Sequence, residues 1–279
     1  MQIKTKFLTL VATAILACHL VQAAVLTESF LTGSSPANGE YTVGTLQNNN
    51  PTIPGWSGDW LGAASAFEVT GTGLSYPGLT TQGGALTTTS SNNRTGRVLA
   101  DPVTNSTTGT LYLSFLMQVA DVNGYRAFEL HNGGFDDSTH RVFQIATGEN
   151  NNQNYSVRLL NDNTNYFQQL GTRNEDVNLF VVRLDLGANN NEDSISVWMN
   201  PSNLANEASN TADYTASGFN IAFDRISVAK FTTAATATWD EIRIADTWNA
   251  AVIPEPGTFA LLAVFGAATA LVSLRKNRR

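Results

Sequence analysis

The sequence predicts an all-β protein, and three observations support this fold class. Short apolar runs alternate with polar, turn-forming residues along most of the chain, which is the pattern of many short strands. In residues 110–119 every second residue is apolar, as expected for a strand with one buried face. About 225 residues between the two ends show no linker, repeat or charge block, so we expect one domain over residues 24–250.

The same patterns predict strands elsewhere in this domain. Residues 194–199 repeat the alternation of residues 110–119. The other predicted strands are residues 26–31, 125–130, 141–146, 155–160, 177–185, 221–231 and 238–245. Between the two ends of the chain, no segment predicts a helix.

Composition and charge exclude several classes of protein. Charged residues make up 14% of the chain, against roughly 25% in ordinary soluble domains, and a single cysteine excludes a disulfide scaffold. A mean hydropathy of -0.11 excludes a protein with many membrane spans. Ten basic and 22 acidic residues lie between the basic clusters at the termini and the acidic residue of the tail, a net charge of -12. This excess of acid excludes nucleic acid as a partner, because phosphates require a basic surface.

The first segment, residues 1–23, predicts a secretory signal helix that is removed on export. Lys4 and Lys6 precede an apolar stretch, and a small-residue cleavage site ends at Ala23. An alternative is that Cys18 carries a lipid, because the residues before it resemble the lipobox of bacterial lipoproteins. Either interpretation predicts an exported protein.

The last segment, residues 252–279, combines a Pro254-Glu255-Pro256 motif, an apolar helix over residues 259–274 and a final basic cluster. The apolar run is short for a membrane span, but the basic cluster favours transient insertion in the inner membrane. This arrangement resembles the PEP-CTERM sorting signal of Gram-negative bacteria. The resemblance implies processing by an exosortase and a destination at the cell surface or in the extracellular matrix. A plain tail anchor is the alternative.

Short motifs along the domain also resemble a family. They are residues 28–30, 55–60, 74–76, 78–79, 114–116, 198–201 and 239–244. In this order they resemble the concanavalin A-like, laminin G-like domains that often precede PEP-CTERM signals. The resemblance implies a two-sheet antiparallel jelly-roll sandwich whose first and last strands pair. Such domains include lectins, glycan-binding and adhesive modules, and glycosidases, so the fold by itself does not choose a function.

Two carboxylates on predicted strands form a candidate metal site. Strict alternation places Glu28 on the apolar face of the first strand and Asp240 on that of the last, beside Ile242. A buried carboxylate needs hydrogen bonds, an opposite charge or a metal. Oxygen ligands favour calcium, so we expect one structural calcium ion. The alternative is that both side chains cap backbone amides or pair with Arg243 or Arg225.

Trp56, Asp59 and Trp60 form a candidate carbohydrate-binding site. Two aromatic faces with a carboxylate between them are typical of sugar platforms. The spacing of four places both rings on one side of a strand, which equally fits the core of the domain.

The sequence does not predict an enzyme. Asp240 and Glu241 are adjacent on a strand and face opposite sides, whereas glycoside hydrolysis needs two carboxyl groups in one cleft. The Glu-x-Asp-x-x-Glu motif of glucanases with this fold is absent, and His131 lies beside a polar loop that predicts solvation. We therefore expect a non-catalytic surface or matrix protein that binds glycan or exopolysaccharide weakly. The alternatives are a divergent glycoside hydrolase or lyase of the same fold, and a structural surface unit without a ligand.

Overall fold

The computed structural model describes residues 25–88, 90, 92–120, 124–135, 139–148, 154–161, 164–231 and 236–252. These residues form sixteen β-strands. The strands are β1 (Val25–Glu28), β2 (Gly44–Thr45), β3 (Trp56–Gly62), β4 (Glu68–Val69), β5 (Leu86–Thr88), β6 (Asn93–Val103), β7 (Gly109–Val119), β8 (Arg126–His131), β9 (Arg141–Thr147), β10 (Asn154–Asn161), β11 (Thr164–Thr172), β12 (Asn178–Leu186), β13 (Asp193–Met199), β14 (Tyr214–Phe219), β15 (Phe223–Lys230) and β16 (Ala237–Ala245). Short 3-10 helices lie at Pro36–Asn38, Ala64–Ala66 and Glu207–Ser209, and one α-helix, α1, covers Trp248–Val252.

The strands form two antiparallel sheets. The nine-stranded sheet has the order β14-β13-β12-β7-β16-β5-β4-β2, with β1 on the same edge of β16 as β5. The seven-stranded sheet has the order β11-β10-β9-β8-β15-β6-β3. The predicted all-β, two-sheet antiparallel sandwich is therefore confirmed, and so is the pairing of its first and last strands, β1 and β16.

The main core lies between the two sheets and follows the predicted alternation. Leu113, Phe115, Met117 and Val119 of β7 point into it and are buried. The other face of the nine-stranded sheet is also buried at its centre, where Trp248 of α1 belongs to a second apolar cluster. The nine-stranded sheet therefore has an outer face that is covered at its centre.

Several strands were missed by the sequence patterns. Strand β6 carries two arginines, while β11 and β14 are polar edge strands of their sheets. Edge strands commonly carry polar or charged side chains, which discourage pairing with another chain and weaken the apolar alternation. Helix α1 was also missed, since five residues are too few to display a helical period.

A β-bulge in β16 corrects the predicted orientation of Asp240. The register shifts between Asp240 and Arg243, and Glu241 has a positive φ of 51°. Asp240 is paired with Leu116 on the outer face, whereas Ile242 points into the main core. The prediction that Asp240 and Ile242 share a face is therefore wrong, because the extra residue shifts the alternation.

The predicted export and sorting segments lie outside the described residues. They are the signal helix of residues 1–23 with Cys18, the Pro254-Glu255-Pro256 motif and the apolar helix of residues 259–274. None of the helices within the described ranges is long and apolar enough to span a membrane.

Candidate functional site

The two tryptophans of the predicted sugar platform are core residues. Trp56 and Trp60 are 7% and 5% exposed and belong to the main core. The Trp60 Nε1 donates to the Tyr41 hydroxyl (2.8 Å), and the Trp56 Nε1 donates to the carbonyl of Thr27 (3.2 Å). Asp59 is exposed on the opposite side of β3. The three side chains therefore form no sugar platform, since the ring faces are packed against the core.

Glu28 points into the space between the sheets, as predicted, and has a charged partner there. Arg97 Nη1 and the Tyr41 hydroxyl donate to Glu28 Oε2 at 2.7 and 2.8 Å. Both members of this ion pair are fully buried. Burial raises the pKa of Glu28, and the charge of Arg97 and the hydrogen bonds only partly offset this effect. The partner is Arg97 of β6, and not Arg225 or Arg243.

Asp240 lies under the segment that precedes β5, on the outer face of the nine-stranded sheet. Its carboxylate accepts hydrogen bonds from the backbone amides of Leu74 and Glu241, both at 2.7 Å. Burial and the neighbouring charge of Glu241 raise the pKa of Asp240 to about 8. Glu241 in turn pairs with Arg243. Asp240 therefore caps backbone amides, as one of the two interpretations of the sequence predicts.

Glu28 and Asp240 do not form one metal site, because they lie on opposite faces of the nine-stranded sheet. Within the described residues, no group of three or more histidine, cysteine, aspartate and glutamate side chains is arranged to hold a metal ion. Calcium at either carboxylate alone stays a prediction.

A charged network that the sequence patterns missed lies on the outer face of the seven-stranded sheet. Glu129 is at its centre, since Phe128 and Leu130 on either side of it point into the core. One cross-strand row joins Gly96, Ser227, Glu129 and Gln144, from β6, β15, β8 and β9. The sheet therefore brings together residues that are up to 131 positions apart in sequence by the pairing of four strands.

The Glu129 carboxylate accepts hydrogen bonds from five side chains. Arg94 donates twice, from Nε to Oε2 (2.6 Å) and from Nη2 to Oε1 (3.0 Å). The other donors are the Tyr125 hydroxyl (2.8 Å), the Ser227 hydroxyl (2.8 Å), Arg141 Nη1 (3.3 Å) and His131 Nε2 (3.1 Å). Such a bidentate arginine pair is among the strongest charge-assisted hydrogen bonds.

The network keeps Glu129 ionised although the residue is fully buried. Burial by itself opposes ionisation, but the hydrogen bonds from His131 and Arg94, with the charge of Arg94, hold the pKa of Glu129 well below its usual range. Buried charges of this kind stabilise a fold little in comparison with apolar residues of the same volume. Strongly perturbed carboxylates outside a core are therefore candidates for a functional site.

The rim of the network is partly accessible and carries aromatic rings. The side chains of Arg94 and Arg141 are 11% and 8% exposed. Arg94 also lies over the ring of Phe231, at 5.0 Å from its centroid, and Phe231 is 36% exposed. The Tyr125 hydroxyl accepts a hydrogen bond from Arg141 Nη1 at 2.9 Å and lies 3.0 Å from the Gln144 side-chain oxygen.

Gly96 allows Phe135 to pack against this face. A Cβ atom at residue 96 would collide with the ring of Phe135 and with the carbonyl of Ile226. Arg225 lies over the same ring, at 5.2 Å from its centroid, and Arg94 Nη1 donates to the Phe135 carbonyl. Phe135 is therefore held at the edge of the network.

The prediction that His131 is solvated is wrong. It is the last residue of β8 and is fully buried, not solvated in a polar loop. Two signals of the network were present in the sequence: Glu129 and His131 alternate with apolar residues of one strand, and isolated arginines stand in an acidic domain. The order of the strands, which brings these residues together, was not evident from the sequence.

Comparisons with known proteins concern the fold. No family model matches the sequence, and no curated protein matches it. Among solved structures, the globular domain of T. cruzi calreticulin is 10% identical, with a TM-score of 0.48 over 80% of this chain and 89% of that one. A protein of unknown function from Shewanella oneidensis MR-1 is 12% identical, with a TM-score of 0.41 over 84% and 92%.

Two further similar structures have a named ligand class or reaction. The carbohydrate recognition domain of Emp46p is 11% identical, with a TM-score of 0.41 over 65% of this chain and 88% of that one. The alginate lyase AlyC3 is 11% identical, with a TM-score of 0.40 over 57% of this chain and 74% of that one. Its complex with dimannuronate is 12% identical, with a TM-score of 0.40 over 57% and 73%.

Proposed function

We propose that this chain is an exported, non-catalytic protein of the bacterial cell surface or extracellular matrix, and that it binds an acidic polysaccharide. The contact surface is the Glu129 network on the outer face of the seven-stranded sheet. The observation that carries this proposal is the pair of partly exposed arginines, Arg94 and Arg141, fixed around one buried carboxylate.

Charge favours an acidic ligand at this surface. Arg94 and Arg141 together outweigh the single negative charge of Glu129, in a domain whose net charge is otherwise strongly negative. A local excess of positive charge attracts carboxylate or sulfate groups, and fixed guanidinium groups bind them with little loss of side-chain entropy. The exposed edge of Phe231 adds an apolar contact for the face of a sugar ring.

The state of Glu129 disfavours glycoside hydrolysis. That reaction needs one carboxylic acid that gives a proton and a second carboxylate within 10 Å or so. Glu129 has a pKa well below its usual range and accepts hydrogen bonds on both oxygens, so it carries no proton to give. We therefore propose binding without hydrolysis.

A lyase of the same fold is the second candidate, and one observation favours it. The Tyr125 hydroxyl lies next to Arg141 and Gln144, so a group that exchanges protons stands beside a fixed positive charge. Elimination from a polyuronate leaves an unsaturated sugar that absorbs ultraviolet light. Absorbance that grows when the complete chain is incubated with polygalacturonate, and that Tyr125→Phe abolishes, would replace the binding proposal by this one.

Polygalacturonate binding by the complete chain, followed by biolayer interferometry, tests the proposed site. We expect Arg141→Met to lower the affinity about tenfold, and added salt to weaken binding further. Arg183→Met is the matched control, because it removes the same charge from the other sheet. Binding that is absent, or equal in Arg141→Met and Arg183→Met, would contradict the proposal and favour a structural unit without this ligand.

Arg94→Met is a second variant for the same site. It removes two hydrogen bonds to Glu129, so a loss of stability must be separated from a loss of binding. Thermal unfolding of each variant provides this check. Arg141→Met, which removes one bond of 3.3 Å to Glu129, is the milder change and remains decisive if Arg94→Met unfolds.

Export and sorting are also proposals, supported by the order of motifs at the two ends of the chain. We propose that residues 1–23 are removed on export and that an exosortase recognises Pro254-Glu255-Pro256 while residues 259–274 insert in the inner membrane of a Gram-negative bacterium. Mass spectrometry of the protein recovered from the cell surface tests this. A mature chain that starts at Ala24 and lacks residues 259–274 is expected, and an intact C-terminus would favour a plain tail anchor.

One structural calcium ion remains part of the proposal at either Glu28 or Asp240, but not at both. Thermal unfolding with calcium and with a chelator tests it, because a ligand of the native state raises its stability. A calcium-dependent shift that is lost in one of Glu28→Gln or Asp240→Asn is expected. Identical unfolding with calcium and with chelator would remove the ion from the proposal.

A further inference from the structure

We infer that the outer face of the nine-stranded sheet carries a second binding site, a groove whose ligand is a neutral polyhydroxylated molecule such as a hexose unit of a glycan. The groove has a volume of about 560 Å³, within the range of small-molecule sites. Its lining includes Tyr112 of β7, Glu207 of the last 3-10 helix, and Asp246, Trp248 and Asn249. It lies on the side of the sandwich opposite the Glu129 network.

Glu207 is the fixed hydrogen-bond acceptor of this groove. The Tyr112 hydroxyl donates to Oε2 (2.6 Å), and Arg183 Nη1 donates to Oε1 (3.1 Å). Each carboxylate oxygen has two lone pairs, so both retain acceptor capacity after these bonds. The Glu207 side chain is 23% exposed, which leaves it within reach of a ligand. A ligand hydroxyl therefore meets an acceptor whose conformation is already set.

The aromatic floor of the groove is rigid. The rings of Tyr112 and Trp248 meet edge to face with centroids 6.2 Å apart, and Trp198 packs against Trp248 at 5.1 Å. The Trp248 Nε1 donates to the carbonyl of Leu204 at 2.7 Å, which ties α1 to the loop that precedes Glu207. These contacts join α1 to the strands and to the loop beside it.

Charge decides which class of ligand the groove takes. Asp246 and Asn249 also line the groove and are exposed. Glu207, Asp246 and nearby Asp185 outnumber Arg183, which pairs with both Glu207 and Asp185. An acidic sugar is therefore repelled. Hydroxyl groups, which donate to carboxylates and exchange hydrogen bonds with amides, fit this lining.

Binding of the complete chain to an array of neutral glycans tests the groove. We expect binding that Glu207→Gln and Asp246→Asn each weaken about tenfold, because each removes a charged acceptor of a ligand hydroxyl. Glu192→Gln, at an exposed glutamate in the turn between β12 and β13 that does not line the groove, is the matched control and is expected to bind as the unmodified chain does. No binding to any neutral glycan, or binding that neither groove variant changes, would overturn the inference.

This inference can fail separately from the proposed function. Glu207→Gln is expected to leave polygalacturonate binding unchanged, and Arg141→Met is expected to leave neutral-glycan binding unchanged. If Glu207→Gln lowers the unfolding temperature, Asp246→Asn provides the second test, because Asp246 is exposed and its replacement keeps the side-chain volume.

Discussion

Asp240→Asn is expected to change the pH dependence of stability in a direction that the structure specifies. The folded protein holds the Asp240 proton with a pKa of about 8, against an ordinary value of 3.8. Between these two values the folded state binds one proton more than the unfolded state, so the free energy of unfolding falls as pH rises. The slope is about 1.4 kcal/mol per pH unit, and the total over this range has a ceiling of about 6 kcal/mol.

An asparagine at residue 240 does not titrate, but it can still accept one of the two hydrogen bonds. Its single carbonyl oxygen replaces two carboxylate oxygens that accept from Leu74 and Glu241, so one amide loses its partner at a cost of about 1 kcal/mol. We expect the variant to be less stable than the unmodified chain at pH 4 and more stable at pH 8, so that the two stability curves cross.

Urea unfolding at a series of pH values from 4 to 9 measures both curves. Burial also raises the pKa values of Glu28 and Glu241. Both residues titrate in the variant and in the unmodified chain, so their contributions to the pH dependence largely cancel when the two curves are subtracted. Asp59→Asn, at an exposed aspartate, is the control. Parallel curves for Asp240→Asn and the unmodified chain would refute the reasoning, since they would mean that Asp240 ionises equally in the folded and unfolded states.

Three further changes test the packing. Arg97→Met should lower the free energy of unfolding in urea by about 3–5 kcal/mol, because it leaves the buried Glu28 carboxylate without its charge partner. Adding Glu28→Gln should recover part of this loss, and a double variant no more stable than the single one would contradict the explanation. Phe115→Ala should lower the free energy of unfolding by about 3–5 kcal/mol, because Phe115 is fully buried and stacks on the ring of Phe128, with centroids 4.2 Å apart. A loss below 1 kcal/mol would show that the core closes around the cavity. Gly96→Ala should displace Phe135 and lower the affinity for polygalacturonate. An unchanged affinity would show that Phe135 does not contribute to binding.

The sequence by itself determined the fold class and many of the strands. Burial of one face imposes a period of two residues, so β7 and β13 were evident from their apolar alternation. The charge balance of the domain predicts, without any structure, that nucleic acid is not a partner. These conclusions depend on composition and on neighbours within one strand, which a linear sequence displays directly.

Only the tertiary structure decided the positions of the charged groups. One extra residue in β16 placed Asp240 on the outer face, although alternation alone predicts the inner one. Arg97, which is 69 residues from Glu28, became its partner, and Ser227 reached Glu129 across 98 residues. These contacts depend on the order of strands in a sheet, which is set by the packing of the whole chain. Local pattern contains no record of that order, so the Glu129 network and the groove at Glu207 emerged only from the assembled sandwich.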